Sequence, residues 1–133
     1  MSTPSARNDG TQKMMFLRKR VLYSSNGTTI TVGKLPAGAS VVGGGVHVVT
    51  AFNDSGTDVL DVGFIGSTTD DNAYATLLDL SAVGWIVLDE LATTTNIQQT
   101  VDTTVTCKYT GQNSNGTAGI ADVIVWFIPN NDG

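Results

Sequence analysis

The stretch from Lys34 to Phe64 constrains the fold of this chain more than any other. It opens on Lys34-Leu35-Pro36-Ala37-Gly38-Ala39 and continues as an apolar run through His47 to Phe52. It then breaks at Asn53-Asp54-Ser55-Gly56-Thr57 and resumes from Val59. Proline fixes φ and glycine reaches left-handed backbone, so Pro36 to Gly38 marks a corner. Asn, Asp and Gly supply turn chemistry between the two β-branched runs. The stretch predicts a proline-glycine corner followed by two antiparallel strands joined by a turn. No set of reacting groups accompanies this pattern, which is that of a β-sandwich.

The same alternation of runs and turns continues on both sides. Met15, Leu17, Val21 and Tyr23 share one parity while Arg18 and Arg20 share the other, which predicts a strand from Met14 to Tyr23. Asn26-Gly27 favours a type I′ turn and predicts a hairpin with Thr28 to Lys34. Gly43-Gly44-Gly45 lies inside the run from Val41 to Phe52 and predicts a bend. Asp58 to Ile65 reads as a strand with Leu60, Val62 and Phe64 on its core face. Ser67 to Asn72 is polar and precedes Ala- and Leu-rich residues, a start signal for one short helix near Asn72 to Leu80.

Trp85 to Leu91 and Ile97 to Tyr109 read as further strands. The second alternates strictly, which predicts Val105 and Cys107 buried and Thr104 and Thr106 solvated. Ile120 to Ile128 is apolar on both parities apart from Asp122. It therefore belongs at the centre of a sheet or against a neighbouring subunit, with Ile124 and Trp126 buried. The expected fold is an all-β antiparallel sandwich or jelly roll of seven to eight strands with at most one short helix. A chain of 133 residues can bury such a core as a single domain, expected over residues 14–133 behind a flexible arm at residues 1–13.

Charge is segregated along the chain. Residues 1–34 hold six of the seven Lys and Arg against Asp9, a net of +5, while residues 35–133 hold Lys108 against eleven carboxylates, a net of −10. The arm at residues 1–13 holds no aromatic residue to stack on bases and the acidic body would repel phosphate, which argues against a nucleic-acid partner. No apolar run approaches the roughly 20 residues that cross a bilayer, so no membrane is expected. With one cysteine and no secretory signal pattern, synthesis in a cytoplasm is expected.

No candidate constellation supports catalysis or a resident cofactor. His47 is the only histidine and cannot build a cupin-type metal site alone. Cys107 sits on an inward parity, where a thiol behaves as a small hydrophobe. Asp58, Asp61, Asp70, Asp71 and Asn72 carry calcium-type oxygens, but their spacing does not fit an EF-hand loop and no metal is expected. Asn26, Asn53 and Asn115 each begin a glycosylation triplet that is also a turn. Gly43-Gly44-Gly45 lacks the Lys-Ser/Thr of a phosphate loop.

The phrase from Leu35 to Leu80, with the closing strand Ala121 to Pro129, resembles small β-sandwich proteins encoded among the virion genes of tailed bacteriophages, the jelly-roll capsid decoration or cement proteins. The resemblance implies a structural virion protein that binds the outer surface of an assembled capsid and cements its subunits. Its partners would be the major capsid protein and further copies of itself, as homodimer or homotrimer, and its location the capsid surface. It transfers no site residue. From charge and apolarity, the expected contact residues are Arg7, Lys13, Met14, Met15, Phe16, Arg18, Lys19 and Arg20. The alternative is a carbohydrate- or receptor-binding module of a phage tail or fibre. Lectin sites present exposed aromatics, whereas Trp85 and Trp126 read as buried strand residues. An enzyme is the weakest reading, because the polar residues that catalysis uses are absent or scattered in turns.

Overall fold

In the computed structural model, residues 14–130 are described. The expected arm, with Arg7 and Lys13, lies outside them. The chain forms β1 (Met15–Leu22), a 3-10 turn (Tyr23–Ser25), β2 (Thr29–Leu35), β3 (Ser40–Thr50), β4 (Asp58–Ile65), β5 (Thr69–Asp79), β6 (Gly84–Val87), β7 (Thr103–Gly111) and β8 (Ile120–Ile128). Two four-stranded antiparallel sheets have the orders β1-β8-β3-β6 and β2-β7-β4-β5. Strand one pairs with eight, two with seven, three with six and four with five. This is one long hairpin wound over itself, the strand order of a jelly roll.

The core is the space between the sheets. Val21, Val46, Val48, Leu60, Val62, Phe64, Tyr74, Leu80, Val105, Val123 and Val125 are fully buried there, and Phe64 and Tyr74 pack ring on ring at 5.7 Å. Each such aliphatic or aromatic side chain contributes about 1.5–3 kcal/mol by leaving water.

Winding the hairpin separates strands that are neighbours in sequence. β1 and β2 lie in different sheets, so the expected hairpin at Asn26-Gly27 does not form; Gly27, at φ +78°, carries the chain across instead. β3 and β4 likewise do not pair, and Asn53 to Thr57 connects the two sheets. The corner is as expected. Gly38 stands at φ +82°, Ala39 N–H donates to the Pro36 carbonyl at 3.1 Å, and the chain passes from β2 to β3.

The expected helix is a strand. β5 hydrogen-bonds β4 with Leu78 opposite Leu60 and Ala75 opposite Val62, and Ser67 to Thr68 belongs to the turn of this hairpin. Helix propensity in Ala and Leu amounts to a few tenths of a kcal/mol per residue, whereas burying Tyr74, Leu78 and Leu80 contributes about 1.5–3 each. The strand therefore prevails.

Two other expected strands are shorter. β6 ends at Val87, because residues 88–90 leave it to close the sandwich: Leu88 N–H donates to the Gly44 carbonyl at 3.2 Å and Glu90 N–H to Tyr74 at 3.1 Å. β7 begins only at Thr103, since residues 97–102 run beside the start of β3. Thr106 is buried despite its outward parity. It stands opposite Gly63, and the backbone of Asp70 and Asp71 passes over that glycine.

Val105 and Cys107 face the core as expected. Burial pushes the Cys107 thiol up to about 12 from 9.0, against the opposing field of Lys19. At pH 8 the native thiolate fraction should be about a thousandfold lower than in the unfolded chain. Labelling by a thiol reagent should accordingly be slow until urea unfolds the protein; comparable rates in both states would reverse the orientation of β7.

Candidate interaction surface

The outer face of the β1-β8-β3-β6 sheet carries the residues most out of place on a solvated surface. β8 is central in that sheet, which accounts for its two-sided apolar sequence: Ala121, Val123, Val125 and Phe127 are buried inward, leaving Ile120, Asp122, Ile124, Trp126 and Ile128 outward. The register sets these outward residues in rows across the sheet. Phe16, Trp126 and Gly43 form one row, Arg18, Ile124, Gly45 and Val87 the next, and Arg20, Asp122, His47 and Trp85 the third.

The glycines make this an aromatic surface. A Cβ on Gly43 would lie 2.6 Å from Trp126 Cε3, and one on Gly45 would lie 2.5 Å from Trp85 Cζ2. Without those methyls the indoles cover the glycine backbone, as aromatic rings do beside glycine in sheets. The two indoles lie nearly parallel, 6.2 Å apart with 20° between planes, and Phe16 meets Trp126 edge-on at 6.4 Å. Phe16 is 60% exposed, Trp85 47% and Val87 61%. The expected burial of Trp85, Trp126 and Ile124 is therefore corrected: Trp85 is exposed, and Trp126 and Ile124 are half-buried. Nothing in the sheet covers their outward parity. Large apolar side chains grouped on a face and rimmed by charge mark a contact surface.

The charged row beside them is a three-member network. Arg18 Nη2 donates to Asp122 at 2.8 Å, and Arg20 donates through Nε at 2.9 Å and Nη2 at 3.1 Å. The Asp122 side chain is almost wholly covered, whereas both guanidinium groups are more than half exposed. Chiefly the Arg20 hydrogen bond, opposed by burial and helped by Arg18, holds the Asp122 carboxyl down at about 2. Because its folded value lies below the ordinary 3.8, its stabilisation is complete above about pH 4 and is lost as pH falls through 2. Asp122→Asn should remove that part of the acid limb, which urea midpoints measured from pH 5 to pH 2 will show. An unchanged limb would place the acid sensitivity elsewhere.

Of the expected contact residues, Phe16, Arg18 and Arg20 come together on this face. Met14 and Met15 are exposed at its β1 end, and Lys19 is exposed on the parity of Leu17 and Val21. Trp85, Trp126, Ile124 and Val87 were not expected there. Their signal was in the sequence: Trp126 and Ile124 share the parity of Asp122, and three glycines interrupt the strand beside them.

The other polar clusters serve the fold. Asp54 is buried and accepts backbone N–H groups of Gly56, Asn113 and Asn115 at 2.8, 3.0 and 3.1 Å, tying two turns together. Asp58 accepts the Tyr109 hydroxyl at 2.5 Å and Asp61 the Leu77 N–H at 2.8 Å. Asn53 accepts the Thr117 and Ala118 N–H groups. Among the described residues, no group of three or more His, Cys, Asp and Glu side chains is placed to hold a metal ion.

No protein-family model and no curated protein matches the chain. Solved structures do resemble it. A chain in the acid-stable capsid structure of Helicobacter pylori bacteriophage KHP30 aligns at TM-score 0.66 and 20% identity, over 89% of this chain and 90% of that one. One in the capsid of Ralstonia phage GP4 aligns at 0.68 and 17%, over 90% and 86%. One in the capsid asymmetric unit of cyanophage Pam1 aligns at 0.64 and 20%, over 91% and 89%. At these identities the likeness is one of fold, and it spans nearly the whole of each chain: this protein has the β-sandwich of chains found in phage capsids.

Proposed function

We propose that this protein is a structural virion component that binds the outer surface of an assembled phage capsid and cements neighbouring subunits, with the major capsid protein as its partner. The observation that carries this reading is the fold likeness to capsid chains over about nine-tenths of both partners in each alignment. The face bearing Phe16, Trp126, Trp85 and Val87 is the contact surface, because it offers apolar area that water leaves with gain. Arg18 and Arg20 beside it supply orientation. No reaction, metal or cofactor is assigned.

The test is cosedimentation of the purified protein with capsids that lack it. Binding that saturates at a fixed ratio to the major capsid protein supports the reading, and no binding at any salt concentration rejects it. A chain without residues 1–13 should bind more weakly if Arg7 and Lys13 contribute, and equally well if the sheet face suffices.

A second reading, recognition of a carbohydrate or receptor, draws on one observation: Trp85, exposed, and Trp126, half-buried, present nearly parallel indoles on a sheet, a platform on which a sugar ring can stack. Glycan-array binding abolished by Trp85→Ala, in a protein that ignores capsids, would favour it.

A further inference from the structure

The two long edges of the sandwich carry opposite charge. β1 lies over β2, with Leu17 against Gly33, and this edge holds Lys19 and Lys34, with Arg18 and Arg20 beside them on the outer face of β1, where they share the single charge of Asp122. The opposite edge, where residues 88–90 close onto β5, holds Asp70, Asp71, Asp79, Asp89 and Glu90. From residue 35 to residue 107 there is no Lys or Arg, so no cation tempers the acidic edge from β3, β4, β5 or β6. Among the described residues the ion pairs are those of Arg18 and Arg20 with Asp122, and none of these five edge carboxylates has one. The acidic edge is also concave, with an open depression of about 410 Å³ lined by Asp70, Asn72, Thr76, Glu90, Thr94 and Asn96, wide enough for a cationic side chain.

We propose that the partner of each edge is the other edge of a second copy of this chain, the basic β1/β2 edge of one seating on the acidic β5 edge of the next. This deepens the structural reading above by naming the lateral neighbour, and it leaves the aromatic sheet face free for the capsid. The argument is charge complementarity within a single sequence. Each copy carries both halves of the contact, and the field between unlike edges steers and registers the encounter. The edges lie on opposite sides of the sandwich, so a two-fold dimer cannot satisfy both. The contact is heterologous and closes only as a ring of three or more copies.

Edge charges have another use, which is to keep exposed strands from pairing with other chains. The two roles predict opposite responses to salt. If unlike edges attract, the full chain in analytical ultracentrifugation should associate at about 20 mM salt and lose about tenfold in apparent affinity at about 500 mM, as exposed pairs are screened. If the charges only guard the edges, the protein is monomeric at low salt and associates, if at all, as salt rises; that result overturns the proposal.

Charge exchange supplies the decisive arm. Lys19→Glu with Lys34→Glu takes the four basic-edge charges from +4 to 0, and Asp71→Lys with Glu90→Lys takes the five acidic-edge charges from −5 to −1. Each double variant should be monomeric alone, and an equimolar mixture should associate again. Since the mixture requires both proteins folded, its recovery is not open to misfolding. Circular dichroism of each variant as a native β protein, followed by no recovery on mixing, overturns the proposal. Capsid cosedimentation is read separately: a protein that is monomeric yet binds capsids overturns the lateral contact and leaves the virion reading standing.

Discussion

Gly44→Ala is expected to destabilise the domain by about 3 kcal/mol or more, lowering its melting temperature by about 10 °C. Gly44 stands at φ +146°, and a Cβ there would lie 2.3 Å from the carbonyl oxygen of Ile124 and 2.9 Å from Leu88 Cδ1. The carbonyl belongs to central strand β8 and cannot yield without disturbing the β3–β8 ladder. Gly84 provides the control. Its φ is +143°, yet nothing lies within 4 Å of the added carbon, so Gly84→Ala should cost only backbone strain, about 1–2 kcal/mol. Thermal unfolding followed by circular dichroism checks both. Equal losses at the two positions would mean that the close approach of β3 to β8 is not the reason for glycine at 44.

The second large effect concerns binding. Phe16→Ala and Trp85→Ala should each raise the dissociation constant for capsids by about 30-fold, as loss of a central aromatic contact of about 2 kcal/mol does, while leaving the fold intact. Both side chains are about half exposed or more, so little core packing is lost. Thr110→Ala on the outer face of the other sheet is the control and should leave binding unchanged, since Thr110 is exposed and makes no contact with the aromatic rows. Quantitative cosedimentation with capsids reads all three. Full binding by the Phe16 and Trp85 variants would remove the aromatic face from the contact.

Local chemistry determined a good deal of this protein. Seven alternating or apolar runs separated by Gly, Asn, Asp and Pro yield an all-β sandwich, because alternation places every second side chain on one face and only packed sheets can bury it. The turns at Asn26, Pro36 and Asn53 and the strand from Asp58 to Ile65 were legible in the same way, whereas the two-sided apolar pattern of Ile120 to Ile128 fitted a central strand and a subunit contact alike until the sheet order placed it between β1 and β3. So was the segregation of charge along the chain.

Partner choice was not legible, because a turn residue fixes where a strand ends and says nothing of which strand it then meets. Only the wound topology set β1 against β8 and β3 against β8, turning two expected hairpins into crossings between sheets. Tertiary burial also decided Thr69 to Asp79, where Ala and Leu favour a helix locally but the β4 edge and the core reward a strand through Ala75, Leu78 and Tyr74. The aromatic face arose likewise. Trp85 and Trp126 are some forty residues apart in sequence, and an apolar strand position reads the same whether its face is covered or bare. Among the described residues none covers the outer face of β8, the two indoles lie on the glycines of β3, and the same winding carries the basic and acidic segments to opposite edges of one sandwich.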